Sequence, residues 1–352
     1  MIQWWLAGFV LISIYFPQIA WGRGLSLSYE SRVEVHGRLV TESRPLMGTV
    51  FTVSIWTPES ESIFALRSIR RCFDFLIDYE NKVSSWKSGS DTDRLNQEAY
   101  SKWVEVGPEV LELIGHSRRW NKQSLGAFDP GKGKLYAYWR ALKHNSSSID
   151  KREINGMLGP SGMDHVQVKR NSIRFLQPLV QLDFGGLGKG AAADITGRML
   201  REAGFRNFVI DAGGDLLISG TKEGRDWRVG VQDPRRRGEV AHFSKGGEYA
   251  LATSGDYERF IEIEGRRYSH IVDPRSGWPV QKVISATVLA NNALDADALA
   301  TAVTVLGAKA GLDLVNQLEG VEAYLIDQDQ KEYLSRGWVR SGRMLRPRLE
   351  AR

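Results

Sequence analysis

Cysteine is almost absent from this chain of 352 residues, in which Cys72 stands alone. A single thiol excludes an internal disulfide, a cysteine-built zinc centre and a CxxC redox pair. Cys72 lies in the helical pattern "SIFALRSIRRCFDFLIDYE" and reads as a small buried hydrophobe rather than a nucleophile. Histidine is scarce too, with six in all. Of these, His36, His116, His144, His165 and His242 show no mutual metal-ligand spacing and read as structural. There is no repeat of solenoid period and no long low-complexity run. A strong charge excess is also missing. The formal net charge is +5, and no basic-aromatic module for nucleic acid appears.

What is present begins with one long apolar run. Trp4 to Phe16 carry no charge, and Pro17 and an A-x-G exit near Ala20 follow. Residues 1–22 therefore read as a signal peptide or an uncleaved membrane anchor, either of which sends the rest of the chain to the periplasmic or other extracytoplasmic side. No cysteine follows that could accept a lipid. At the other end, "SRGWVRSGRMLRPRLEAR" (335–352) holds six arginines against one glutamate. It reads as a solvated basic tail, with an anionic membrane surface or an acidic partner as the alternative. Between them, a composition 42% hydrophobic and 25% charged is that of a folded domain, placed at about 40–330 and long enough for two lobes.

Strands and helices mix without strict alternation, which predicts an α+β fold with mixed or antiparallel sheets flanked by helices. "GTVFTVSIW" alternates as a strand with Phe51, Val53 and Ile55 on one face. A helix is predicted over about 59–81. Another starts at Pro108 and is capped near Gly126, and a third is stopped by Gly204. "LVQLDF" reads as a strand ahead of a glycine turn. "ALDADALATAVTVLG" reads as a helix with Asp295 near its N-cap and Gly307 at its end. "VEAYLID" reads as the last strand.

Three places could carry chemistry. In "DFGGLGKGAAAD", Asp183 precedes four glycines and Lys189 stands at a helix mouth, which suits an anion, although neither the Walker nor the GxGxxG pattern is met. A simple tight turn explains it equally well. In "DADALATAV", Asp297 and Thr301 are four apart and share a helix face, so their oxygens could take a hard cation such as Mg²⁺. The alternative is that Asp297, in the first helical turn, caps its helix while Thr301 bonds back to a carbonyl. In "YSHIVDPRSG", His270 precedes an Asp-Pro turn, where it could act as a general base or be merely structural.

Read together and in order, "RPLMGTVFTVSIW", "VSSWKSGSDTDRLN", "GAFDP", "LDFGGLGKGAAAD", "DAGGDLLISG", "ATSGDYERF", "YSHIVDPRSG" and "ADALATA" resemble the ApbE family, the FAD:protein FMN transferases. The resemblance spans about three quarters of the chain. It implies a T-fold-like α+β domain that moves the FMN half of FAD onto a threonine or serine hydroxyl of an extracytoplasmic protein, with Mg²⁺ required and AMP released. It implies that Asp297, Thr301 and the Gly186 carbonyl hold Mg²⁺, and that Asp183 and Lys189 contact FAD. Met47 and Trp86 would pack on the flavin, and Ala127, Phe128 and Asp129 would line the nucleotide site. Ile271 would touch the dinucleotide through its backbone, and His270 would take the acceptor proton, with Asp273 and its turn fixing the imidazole. The FAD is expected in a cleft between the larger sheet region and the segment 45–140. Trp86 stands where tyrosine is common in the family, Asp93 where serine, Asp211 where asparagine and Gly188 where alanine. The rival readings are a pyrophosphatase splitting FAD to FMN and AMP, and a non-catalytic flavin-binding or assembly protein for a respiratory enzyme.

Overall fold

The computed structural model describes residues 31–142, 149–232, 234–235, 240–244, 247–256, 260–263, 265–341 and 344–347. The apolar run at 1–22 lies outside them, as do Tyr257, Glu258 and Arg259 of "ATSGDYERF". Among the described residues the α-helices are α1 (Ser62–Val83), α2 (Asp91–Glu98), α3 (Pro108–Gln123), α4 (Gly133–Ala141), α5 (Lys151–Met157), α6 (Gly188–Glu202) and α7 (Ala293–Val315).

Nine strands make one antiparallel sheet whose spatial order is also the chain order: Arg32–His36, Leu39–Leu46, Thr49–Trp56, Phe208–Ala212, Leu216–Ser219, Tyr249–Gly255, Val283–Ala290, Glu322–Asp327 and Glu332–Leu334. The sheet is thus a meander with long insertions. The insertion between the third and fourth strands carries α1 to α6, and α7 joins the seventh strand to the eighth. Both of the sheet's faces are covered. Phe51, Val53, Ile55, Ile210, Ala252 and Val288 point to α1, α6 and α7, while Val209, Ile218, Tyr249, Leu251 and Tyr324 point the other way. This is the period-2 alternation of a strand, with apolar groups on each side. The fold is α+β with antiparallel sheets, as the sequence predicts.

The second face is closed by a four-stranded sheet in the order Arg228–Gln232, Val240–Ser244, Met344–Pro347, Trp338–Ser341. The arginine-rich end is therefore not simply a solvated tail. Trp338–Ser341 and Met344–Pro347 form a hairpin, and buried Trp338 joins Trp227 and Tyr324 in the second core. The sheet also reaches beyond 40–330 at both ends, through Arg32–His36 and Glu332–Leu334, so "VEAYLID" is not the last strand.

Length and apolar composition would let α7 span a membrane, yet it is core: Ala296, Ala298, Leu299, Ala302 and Val303 are fully buried. Gly307 (φ 81°, ψ 171°) breaks its helical geometry where the sequence predicts an end, and a second helical piece then runs on to Val315. Cys72 is buried in α1, which pushes its thiol up to about 12, so it is inert.

Candidate active site

The glycine bend is not preceded by a strand. Gln181 makes only an isolated bridge to Lys132. The Asn96 side chain from α2 takes the place of a strand neighbour, accepting from the Leu182 N–H at 2.7 Å and donating to the Leu182 carbonyl at 2.9 Å. Beyond it, Asp183 accepts the Gly185 N–H at 2.8 Å, and α6 opens at Gly188. The bend is thus held from both sides before the helix begins.

One side chain of α6 and the cap of α7 hold the start of α7. Asp194 accepts the N–H groups of Ala293 and Leu294 at 2.8 and 2.9 Å, and Asn292 accepts that of Asp295 at 2.8 Å. These bonds satisfy orphan donors of the α7 N-terminus. Asp295 is therefore a first-turn residue capped by Asn292 and not itself the cap, and Asp297 lies one turn deeper than the sequence suggests. The helices cross at Gly190. A Cβ there would lie 2.6 Å from the Ala293 carbonyl carbon and 2.8 Å from Leu294 Cα.

Around that crossing the bend meets the Asp297–Thr301 face. A Cβ on Gly186 would sit 3.0 Å from Phe128 Cε2 and 3.3 Å from Thr301 Oγ1. Asp297 is buried, and its Oδ2 accepts the Gly190 N–H at 3.1 Å. The Lys189 ammonium lies 3.3 and 3.4 Å from the two Asp297 oxygens and 2.6 Å from Asp215 Oδ2. Ser254 Oγ is 3.5 Å from Thr301 Oγ1. Among the described residues no group of three or more His, Cys, Asp or Glu side chains is arranged for a metal. The bend and α7 instead bring together a carboxylate and a hydroxyl, oxygen donors of the kind Mg²⁺ takes.

With this geometry in hand, the likeness to known proteins is decisive. The sequence profile of the ApbE family matches residues 47–325. The chain belongs to the ApbE family. A protein from Vibrio cholerae serotype O1 named FAD:protein FMN transferase is 29% identical over 301 residues, covering 83% of this chain and 90% of its own length. One of the same name from Klebsiella pneumoniae (strain 342) is 31% identical, with 80% of this chain and 82% of the relative covered. Among solved structures, the flavin transferase ApbE from Vibrio cholerae superposes with a TM-score of 0.75 at 27% identity, over 87% of this chain and 98% of that one. The ApbE protein of Thermotoga maritima gives a TM-score of 0.75 at 26% identity over 87% and 97%.

Of the remaining residues singled out in this ApbE-family sequence, Met47, Phe128 and Trp86 approach the same bend, with several partners that the sequence does not disclose. Met47 is in the left-handed region (φ 52°), donates its N–H to Glu80 at 3.0 Å, and lies against the bend: a Cβ on Gly188 would be 3.6 Å from its Cε. Trp86 is 59% exposed, and the Arg140 guanidinium stacks 4.3 Å from its ring. Arg140 also reaches Asp183 Oδ2 at 2.7 Å, so Trp86, Arg140 and Asp183 form a rim. Ala127, Ile271 and Val305 share one small apolar cluster, which brings the "GAFDP" segment, the His270 segment and α7 together. His270 itself is exposed, just past the strand Arg266–Ser269.

Three of the expected site residues have partners of their own. Asp129 is buried, its Oδ1 accepts the N–H groups of Gly131 and Met163 at 2.9 and 3.0 Å, and its carboxyl is pushed up to about 6 by burial. These bonds close the loop between Asp129 and Met163. Asp273 gives its carboxylate oxygens to the Arg275 guanidinium at 2.9 Å each, so it stiffens the turn through arginine. The Ile271 N–H is committed to Ser269 Oγ at 3.1 Å and its carbonyl accepts from Val280 at 2.9 Å, which leaves one carbonyl lone pair for a ligand. Sequence reasoning missed Arg140, Asp215 and Ser254. For Asp215 a signal is at hand in "DAGGD", a glycine turn with a carboxylate on each side.

Proposed function

We propose that this protein transfers the FMN moiety of FAD to a threonine or serine hydroxyl of an extracytoplasmic acceptor protein and releases AMP. The observation that carries the reading is the approach of the Gly186 bend to Thr301 beside the Asp297–Lys189 pair. The Asp297 carboxylate, the Thr301 hydroxyl and the Gly186 carbonyl would hold Mg²⁺, which when bound neutralises charge on a pyrophosphate. The Lys189 ammonium adds positive charge at the mouth of α6, where unsatisfied N–H groups also favour phosphate. Trp86 and Met47 offer a flat ring and a pliable thioether to the flavin, and Arg140 steadies the tryptophan. The acceptor oxygen bonds to the FMN-side phosphorus, the bond from that phosphorus to the AMP oxygen breaks, and the hydroxyl proton passes to His270. The exposure of His270 lets a protein substrate reach it. The apolar run at 4–16 supports a periplasmic site of action, with the run either removed or kept as an anchor in the inner membrane.

Incubation with FAD, Mg²⁺ and a candidate acceptor tests this by counting AMP against covalently attached flavin. One AMP per flavin attached is expected. AMP without attached flavin would leave a pyrophosphatase, and FAD intact under every condition would leave a binding protein. His270→Ala should lose at least about 100-fold in transfer rate, the order of a missing general base, while FAD binding stays within about threefold. Binding lost in step with transfer would remove His270 from the proton's path.

A further inference from the structure

One ammonium is shared unequally by two buried carboxylates. Lys189 Nζ is 2.6 Å from Asp215 Oδ2, yet 3.3 and 3.4 Å from the oxygens of Asp297. Asp215 and Asp297 are both only 3% exposed, so neither charge is relieved by bulk water. Asp297 Oδ2 already accepts the Gly190 N–H, whereas Oδ1 meets Lys189 only at the long distance of 3.4 Å. Oδ1 is thus the oxygen open to a cation, provided the ammonium stays back.

We propose that Asp215 is a positioning residue: it holds Lys189 away from Asp297 and so sets the affinity of Asp297 and Thr301 for a divalent cation. The proposal rests on the reading of Asp297 and Thr301 as cation ligands. A lysine drawn fully onto Asp297 would neutralise the carboxylate and occupy its more open oxygen, so a metal ion would have to displace it. Held by Asp215, the same lysine leaves one net negative charge on the trio and remains available to a phosphate. The backbone of the "DAGGD" turn places Asp215 for this. Its carbonyl accepts the Ala212 N–H at 2.8 Å, and Asp211 accepts that of Gly214 at 2.7 Å.

The test is a double-mutant cycle on the full chain, reading free Mn²⁺ by electron paramagnetic resonance without FAD. Asp215→Asn should weaken Mn²⁺ binding at least about tenfold. In a Lys189→Met background the same change should alter affinity by less than about threefold, because no ammonium is left to misplace. Equal loss in both backgrounds would mean that Asp215 acts only as a distant charge, and would overturn the proposal. So would undiminished binding by Asp215→Asn alone. If the wild-type chain binds no Mn²⁺, the cation reading fails and this inference fails with it. Asp215→Ser replaces Asp215→Asn should the latter not fold, with the same expected outcomes.

Discussion

Two glycines of the bend, two positions apart, should respond to alanine in opposite ways. At Gly190 the new Cβ would lie 2.6 Å from the Ala293 carbonyl carbon, 2.8 Å from Leu294 Cα, and closer still to the Ala293 carbonyl oxygen. These are backbone atoms of α7, pinned by Asp194, so they cannot turn aside as a side chain would. Overpacking a rigid site costs about 1–3 kcal/mol or more. Alanine's helix preference returns roughly 0.5–1 kcal/mol, so Gly190→Ala should lose about 2 kcal/mol and force α6 from α7. That separation also stretches the Gly190 N–H bond to Asp297, and Mn²⁺ affinity should fall with stability. At Gly188 the added methyl meets Met47 Cε at 3.6 Å and Phe184 Cβ at 4.0 Å, both ordinary contacts. Gly188→Ala should therefore be neutral or slightly stabilising. Urea unfolding midpoints and Mn²⁺ titration of both variants decide the matter. A Gly190→Ala protein as stable as wild type, with metal binding intact, would refute the close crossing on which the site depends.

Asp211 is buried, and its carboxyl is pushed up to about 6, above the ordinary 3.8. The folded state then binds the proton more tightly than the unfolded chain, so this group's contribution to stability falls as pH rises from about 4 to 6 and stays low above it. Asp211→Asn keeps the oxygen that accepts the Gly214 N–H and removes the charge. It should raise stability at pH 8 by up to about 3 kcal/mol and change little at pH 4, in thermal melts at both values; an equal shift at both would sink the idea. Leu125 sits just past α3 at φ 53° and is 81% exposed, so Leu125→Gly should relieve left-handed strain and gain up to about 1 kcal/mol in urea unfolding. A loss would show that Leu125 is held by contacts its exposure does not suggest. Arg140→Ala should weaken FAD binding severalfold by unstacking Trp86 and leaving Asp183 unpaired, checked by flavin fluorescence titration.

Much of this is legible in the sequence because it is local. The α1 and α3 patterns, the stop at Gly204 and the alternation of Phe51, Val53 and Ile55 need only neighbouring residues, and each appears where the sequence predicts it. The likeness to a known family also needs only short blocks in order. What stays hidden joins distant positions. Arg140 and Asp183 are 43 residues apart and Asn96 and Leu182 are 86 apart, and no periodicity announces either pair. "LVQLDF" has the composition of a strand, but Asn96 satisfies the Leu182 backbone groups that a neighbouring strand would otherwise take, so propensity is overridden. The terminal hairpin is masked by its arginines, since Trp338 has to be weighed as core against a charged background.

The most telling case is Asp297, for which sequence leaves a helix cap and a cation ligand both open. A cap acts by accepting the first N–H groups of a helix. In α7 that work is already done by Asn292 and, from outside the helix, by Asp194. Asp297 lies a turn further in, buried, with an ammonium and one amide directed at it. Burying a carboxylate in an alanine-rich stretch is destabilising, and alanine there would continue the helix without that penalty. The Gly190 N–H bond gives folding part of a reason for the residue, but that bond needs no charge. The penalty becomes intelligible once the carboxylate faces a glycine bend that can approach Thr301 so closely only because it lacks a side chain: a Cβ on Gly186 would already lie 3.3 Å from Thr301 Oγ1. Packing asks for glycine at Gly186, but it does not ask for buried charges at Asp215 and Asp297, which cost solvation.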